Sequence, residues 1–299
     1  DRNEILSFLI EDLREAASGM KYANGLAQGV ERASREFCFG MIARIALTRG
    51  GYALYPEGAS GIMKRMPDYR DYYAIAMQYA DSVISSGTHS LNKSYRNVFI
   101  DETNNIVSNN DDPVFEIPFL RNGSSGNVGY NTGPAVGSTE GITTHIWGAA
   151  GGGTRLNAFY HYSFDRSDIR KDYTVGQWSY DAAGQPQVLT DYSMYNNKWS
   201  KLWANAANAL GNQSQGGTGI NFPYMRYADI LLMYAEAVNE IEGGVTGANG
   251  AKAIDAFKQV RRRAFLAEHQ SQKVESYTNT AAASKESFFN AIVQERKWE

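Results

Sequence analysis

The run from Tyr224 to Glu242 constrains this chain more than any other feature, because Tyr227, Leu231, Tyr234, Val238 and Ile241 recur at steps of four and three. That spacing predicts a helix over 224–242 with one continuous apolar stripe, and Gly243-Gly244 supplies its stop. A helix so apolar needs neighbours against which to bury its stripe, and the flanking sequence provides them. Residues 3–18 place Ile5, Leu9, Leu13 and Ala16 on one side, with Glu11, Arg14 and Glu15 elsewhere. Residues 31–49 carry a stripe of mostly small side chains, Ala33, Phe37, Gly40, Ala43 and Leu47, which suits close helix-on-helix approach. Residues 69–86 repeat Tyr72, Ala76, Tyr79 and Val83, with Gly87 as a C-cap. A helix over 249–265 follows, on Ala253, Phe257, Val260 and Ala264, and a last one opens near Ser284 with Phe288 and Ile292. The expected fold class is mainly α. Helix pairs in antiparallel succession resemble tetratricopeptide-type stacking, although no regular period of about 34 residues can be read.

Between about 95 and 222 the helical period disappears, and the chain becomes dense in Gly, Asn, Ser and Tyr. Short alternating pieces, Pro113–Ile117 and Tyr160–Phe164, have the pattern of strands; the remainder reads as long ordered loops. Loops of that length in a compact protein are usually functional, and their aromatic density argues against disorder. The expected organisation is one domain over 1–299: helical over 1–90, a loop-rich ligand-binding insertion with short strands over 95–222, and helical over 223–299.

A net charge of −3 over 299 residues lacks the basic footprint that nucleic acid or an anionic membrane surface requires. The single cysteine, Cys38, excludes an internal disulfide and a cysteine-based zinc site, and its place in Phe37-Cys38-Phe39 reads as a buried thiol. No stretch reaches the roughly 18 apolar residues of a membrane span, and the acidic, amphipathic start is unlike a signal peptide.

Aromatic residues make up 12% of the chain, with 19 Tyr and 5 Trp, and several fall where no core is expected. Sugars pack their flat C–H faces on rings and offer hydroxyls to Asn, Gln, Asp or Arg. Tyr130, Trp147, Trp178 and Tyr180 are the candidate ligand-binding rings; for each, packing beneath a long loop is the structural alternative. No cofactor or metal is expected. Gly148 to Gly153 lacks the Gly-Lys-Ser/Thr of a phosphate loop, and His89, His145, His161 and His269 lack zinc-ligand spacing. Asp101 to Asn105 has no glycine or closing Glu for a calcium loop and reads as a surface turn. Arg226 and Asp229, three apart and so adjacent if both are helical, read with Glu236 as ties between stacked helices. Arg261-Arg262-Arg263 reads as ion-pairing and a solvated face. Asp165, Asp168, Asp172, Asp181 and Asp191 lie in the aromatic region, so a facing carboxylate pair of the kind a glycosidase uses stays open at this level.

Three segments carry a family resemblance. Arg226-Tyr227-Ala228-Asp229, leading into an apolar run that ends Tyr234-Ala235-Glu236-Ala237, resembles the signature helix of the SusD/RagB family. Val260-Arg261-Arg262-Arg263-Ala264 is similar to that family's next helix, and Ile292 to Glu299 to the start of its Glu-Arg-Arg-Trp-Glu motif. The paired helices around Asp12-Leu13 and Ala43-Arg44-Ile45-Ala46-Leu47 fit more loosely. The resemblance implies a SusD-like outer-membrane nutrient-binding lipoprotein of Bacteroidetes, trimmed here at both ends. It implies a non-catalytic surface protein on the external face of the outer membrane, held by an N-terminal lipid anchor absent from this chain. Such a protein captures oligo- or polysaccharide for a SusC-like TonB-dependent transporter. The motifs themselves are implied to be scaffold. Two rival functions are a helical-repeat scaffold for protein or peptide and a helical glycoside hydrolase.

Overall fold

The computed structural model describes residues 1–56, 60–121, 127–137, 148–189, 194–205 and 218–299. Helix α1 spans Arg2–Gly19, opened by a capping box in which Asp1 accepts from the Glu4 amide. Helix α2 spans Arg35–Gly50, with Ser34 accepting from the Phe37 amide at 3.3 Å. A short antiparallel hairpin, β1 Ala53–Tyr55 and β2 Ile62–Lys64, leads to α3, Tyr69–Ser86. Gly87 ends α3 in the left-handed conformation at φ 64°, as its sequence position predicts.

The middle contains α4 Tyr95–Thr103, β3 Pro113–Ile117, α5 Ala158–Ser163, α6 Arg170–Thr174, β4 Val175–Gly176, β5 Trp178–Tyr180, β6 Pro186–Val188 and β7 Tyr195–Asn196. The last part runs β8 Phe222–Arg226, α7 Tyr227–Glu242, α8 Gly250–Arg262, α9 Ala267–Gln270, a π-helical stretch Ser271–Ser276, α10 Tyr277–Ala281 and α11 Lys285–Trp298. The fold is mainly α with small two-stranded sheets.

Helix α7 is the axis of the core, packed by α2, α3, α8 and α11. Leu231, Leu232, Met233, Tyr234, Ala235 and Val238 are all buried, on every side of the helix. Its predicted stripe is therefore only part of what it buries. Gly40 of α2 is a point of close approach, since a Cβ there would run into Met225 and Ile230. The stripes of α8 and α11 are buried as their spacing predicts: Ala253, Phe257, Val260, Phe288 and Ile292. Cys38 is buried beside Met20, and burial pushes its thiol pKa up.

Several local expectations differ from the structure. Helix α7 begins at Tyr227, not 224, because Phe222–Arg226 forms a strand paired antiparallel with Pro113–Ile117. The alternating segment 160–164 belongs largely to α5, whose N-cap Asn157 accepts from the Phe159 amide at 2.8 Å. Asp101–Thr103 closes α4 and only Asn104-Asn105 turn away from it, with Glu102 1% exposed, so the segment is largely helix end and not a surface turn. On α1, Ile5, Leu9 and Ala16 are exposed. The buried line is Asn3, Ile10 and Ala17, because α2 covers that side and Arg35 Nε donates to the Ala17 carbonyl at 3.0 Å.

The charged residues of the motifs meet in a buried network. Arg226 Nη1 lies 2.7 Å from Asp112 and 2.7 Å from Glu299, and Arg263 contacts the same two carboxylates. Arg170 joins Asp168, Glu295 and Glu299, while Arg261 Nη1 lies 2.6 Å from the other oxygen of Glu295. Burial alone would push the Asp112 carboxyl up, yet Arg263 and Arg226 together hold it below the usual carboxylate range. Arg226 and Asp229 are not the adjacent helical pair their spacing suggests, since Arg226 is still extended. Asp229 instead pairs with Arg44 at 2.7 Å and with Arg296, which also reaches Glu236 at 3.4 Å. Those pairs do tie α2, α7 and α11 together. Of the arginine run, Arg262 alone is solvated; Arg261 and Arg263 are buried among their partners.

Candidate functional site: an aromatic cavity beside the β5–β6 hairpin

The hairpin owes its shape to Asp181. Its Oδ1 accepts from the amides of Ala183 at 3.0 Å and Gln185 at 2.8 Å, and Gly184 takes φ 76° in the turn. This fixes the register Trp178↔Val188 and Tyr180↔Pro186. The other edge of β5 is held by residues 135–137, where Tyr180 N donates to the Ala135 carbonyl at 2.9 Å and Gly137 N to the Tyr180 carbonyl at 2.7 Å. Trp178 and Tyr180, two residues apart on a strand, therefore face the same side.

That side opens on a cavity of about 320 Å³ lined by Asp172, Gln177, Trp178, Tyr180, Asn197 and Trp203, among others. Trp178 is 52% exposed, so its ring is available to a ligand and is not consumed by core packing. Trp203 is fixed from behind: its Nε1 donates to the Asn197 carbonyl at 2.7 Å, Tyr173 packs on it at 5.8 Å, and Arg96 lies 5.4 Å from its centroid. Gly176 keeps the floor open, since a Cβ there would press on Pro134 at 3.0 Å and Asn197 at 3.5 Å. Neither the Asp172 carboxylate nor the Asn197 side-chain amide makes a hydrogen bond or ion pair with another described residue, while Gln177 is exposed at the rim. Two indole rings beside an acceptor-only carboxylate and two amides make a surface for a flat polyol, since rings hold the C–H faces while acceptors and donors meet hydroxyls.

The rings selected from sequence separate here. Trp178 and Tyr180 line the cavity. Tyr130 sits elsewhere, half-buried, its ring edge 3.1 Å from where a Cβ on Gly151 would stand and 6.0 Å from Lys201 Nζ. Trp147 lies outside the described residues. Trp203, Asp172 and Asn197 were not singled out as ligand-binding residues. Nothing local marks Trp203 as a lining residue; Lys201–Trp203 is a single 3-10 turn capped by Ser200, brought to the hairpin by the Val175↔Asn196 and Gly176↔Tyr195 pairing.

Of the other aspartates of this region, Asp191 lies outside the described residues and the rest are otherwise engaged. Asp168 is buried on Arg170 at 2.7 Å, Asp165 pairs with Lys273 at 2.7 Å, and Asp181 builds the hairpin turn. Among the described residues, Asp172 is the one carboxylate lining the cavity. No group of three or more metal-ligating side chains occurs among the described residues, and no helix there is long and apolar enough to cross a membrane.

A sequence model of the SusD family matches residues 167–299. SusD-like protein P2 of Formosa agariphila is 25% identical over 194 residues, covering 63% of this chain and 36% of that protein. A SusD homolog from Bacteroides thetaiotaomicron superposes with a TM-score of 0.78 at 21% identity, over 99% of this chain and 56% of that one. Surface glycan-binding protein A from the same species, solved in complex with laminarihexaose, has a TM-score of 0.60 at 15% identity, over 98% of this chain and 57% of that one. The chain spans little more than half the length of these structures and about a third of the curated relative. At such identities the structural likeness establishes the fold, and the family model covers the part that holds α7, α8 and α11. With both the fold and those motifs in place, the chain is similar to the SusD family, whose sequence model matches residues 167–299.

Proposed function

We propose that this protein is a non-catalytic glycan-binding surface protein whose binding centre is the cavity between Trp178 and Trp203. The observation that carries this reading is the 52% exposure of Trp178 at the mouth of a cavity whose Asp172 and Asn197 side chains bond to no other described residue. Its mechanism is capture and hand-over: no bond is broken, and captured oligo- or polysaccharide passes to a TonB-dependent outer-membrane transporter. The protein is held for this on the external face of the outer membrane by an N-terminal lipid anchor. A fold neighbour solved with laminarihexaose supports the ligand class. A single carboxylate on the cavity among the described residues supports binding over hydrolysis, which uses two. Affinity per site is modest, because hydrogen bonds from a solvated polyol replace bonds to water. Tyr130, away from this cavity, remains a further ring candidate, as does Trp147, which lies outside the described residues.

Affinity electrophoresis in gels cast with a polysaccharide panel tests the reading, with Trp178→Ala and Trp147→Ala beside wild type. Retardation of wild type that is lost in Trp178→Ala is the expected result. Retardation on no polysaccharide, or retardation untouched by Trp178→Ala, defeats it.

A second reading, a scaffold for protein or peptide, draws on one observation. Ile5 and Phe8 on α1 are 60% and 67% exposed, and Leu54 and Met63 on the first hairpin are 64% and 61% exposed, which is apolar surface of the kind that protein contacts use.

A further inference from the structure

We propose that the Trp178–Trp203 cavity takes an uncharged glycan and rejects uronate and sulfated chains, with Asp172 as the discriminating residue. This rests on the glycan-binding reading above.

The observation is the charge of the lining. Asp172 is exposed at the cavity, and its carboxylate meets no Lys, Arg or hydrogen-bond donor among the described residues. Among the described residues, no Lys or Arg lines the cavity. The segments outside the described residues, 57–59, 122–126, 138–147, 190–193 and 206–217, contain no Lys or Arg in their sequence either. The nearby cations are directed elsewhere. Lys198 Nζ donates to the Glu299 main-chain oxygen at 2.6 Å and Lys201 Nζ to the Ala149 carbonyl at 2.7 Å. Neither Lys171, next to Asp172 in the chain, nor Arg96, stacked near Trp203, is a lining residue.

Recognition of a carboxylate or sulfate group depends on charge-assisted donors, best supplied as an arginine fork. This cavity offers a carboxylate instead, which repels such groups. An ionised carboxylate has two oxygens and only accepts, so it suits the paired hydroxyls of a neutral sugar. Asn197 and Gln177 supply donors to ring or hydroxyl oxygens without adding charge. The rings are neutral to the question, since they pack on any pyranose with a free C–H face.

The test uses the whole chain and defined probes: laminarin, barley mixed-linkage β-glucan and galactomannan as neutral polymers, alginate as a uronate polymer and κ-carrageenan as a sulfated one. Affinity electrophoresis and calorimetry in 50 mM NaCl compare wild type with Trp178→Ala, Asp172→Asn and Asp172→Lys, and circular dichroism checks folding. Expected is Trp178-dependent binding to at least one neutral polymer, little change between 50 and 500 mM NaCl, and no Trp178-dependent binding to alginate or κ-carrageenan. Asp172→Asn should shift the neutral-to-anionic preference by about fivefold toward the anionic polymers, the size of one like-charge contact at about 4 Å in water. Asp172→Lys should shift it further, in a salt-sensitive way. Wild-type binding to alginate or κ-carrageenan that Trp178→Ala abolishes overturns the selectivity while leaving the glycan reading standing. An unchanged preference in Asp172→Asn and Asp172→Lys, with Trp178→Ala inactive, removes Asp172 from the role. Absence of Trp178-dependent binding to every polymer removes the glycan reading and this inference with it.

Discussion

Arg170 Nη1 lies 2.7 Å from Glu295 Oε1, both side chains fully buried and 125 residues apart in sequence. The pair joins the start of α6, which leads into the cavity, to α11 of the scaffold. Burial disfavours the arginine's charge, but Glu295, Asp168 and Glu299 raise its pKa well above the ordinary value. Removing one partner strands the other as a buried charge, which costs about 3–5 kcal/mol. Glu295→Ala is therefore expected to lower the unfolding free energy by that amount, measured by urea denaturation. A loss below about 1 kcal/mol means the network is not closed as described.

Leu231 is fully buried at the centre of α7. Leu231→Ala is expected to cost about 2–5 kcal/mol, with the upper end if the surrounding helices cannot relax into the space. A negligible change in the urea midpoint contradicts the placement of α7 in the core.

Gly40→Ala sets two effects against each other. Alanine favours a helix over glycine by about 1 kcal/mol, but its methyl group would meet Met225 and Ile230, which pack directly on Gly40. Overpacking of this kind costs about 1–3 kcal/mol, so net destabilisation is expected. A rise in melting temperature reverses the sign and shows that β8 and α7 yield easily.

Glu116 gives a pH dependence. It is 2% exposed, and burial, opposed by its hydrogen bond from Asn221 at 3.0 Å, lifts its pKa from 4.5 to about 7. The folded protein thus holds a proton that the unfolded chain releases between those values. Its contribution is complete below pH 4.5 and is lost as pH rises through 7. Across that window the loss amounts to about 3 kcal/mol. Glu102 has its pKa raised too, by burial first and then by Glu116, and acts in the same direction. Glu116→Gln keeps an acceptor for Asn221 and should flatten the stability profile between pH 4.5 and 7. A profile as steep as wild type assigns the dependence to other groups.

Trp178→Ala is expected to weaken glycan binding by about tenfold, the loss of one ring face worth about 1–1.5 kcal/mol. Because Trp178 is half-exposed, its removal should leave the unfolding free energy within about 0.5 kcal/mol of wild type. A large loss of stability would mean that the ring is part of the packing.

The helices legible in the sequence are those whose apolar residues dominate a full face. The stripes of α3, α7, α8 and α11 recur at helical steps, and Gly87 and Gly243 mark two ends with positive φ. What sequence missed was set at long range or by polar residues. The start of α7 was displaced because Phe222–Arg226 pairs with a strand more than 100 residues earlier. The stretch 267–281 is rich in Ser, Thr, Asn and Gln, and buries only Val274, Thr278 and Ala281 there, so no apolar period announced it. For α5, the Asn157 cap was a readable signal that the alternation of aromatic residues obscured. In the cavity, Trp178 and Tyr180 share a strand face and so came together as their spacing allows. Trp203 joins them only through the pairing of β4 with β7, which no local pattern encodes.

The tie from Trp203 Nε1 to the Asn197 carbonyl is followed in the chain by Lys198, whose ammonium is anchored on the last turn of α11 through the Glu299 main-chain oxygen. One wall of the cavity is thereby braced on the helical bundle before any sugar arrives. Docking then freezes little of that wall, so nearly all the entropy of arranging it is lost when the chain folds and almost none when the complex forms. On the proposed function, a weak polyol ligand would meet a socket already set, and its association rate should track diffusion more than loop rearrangement.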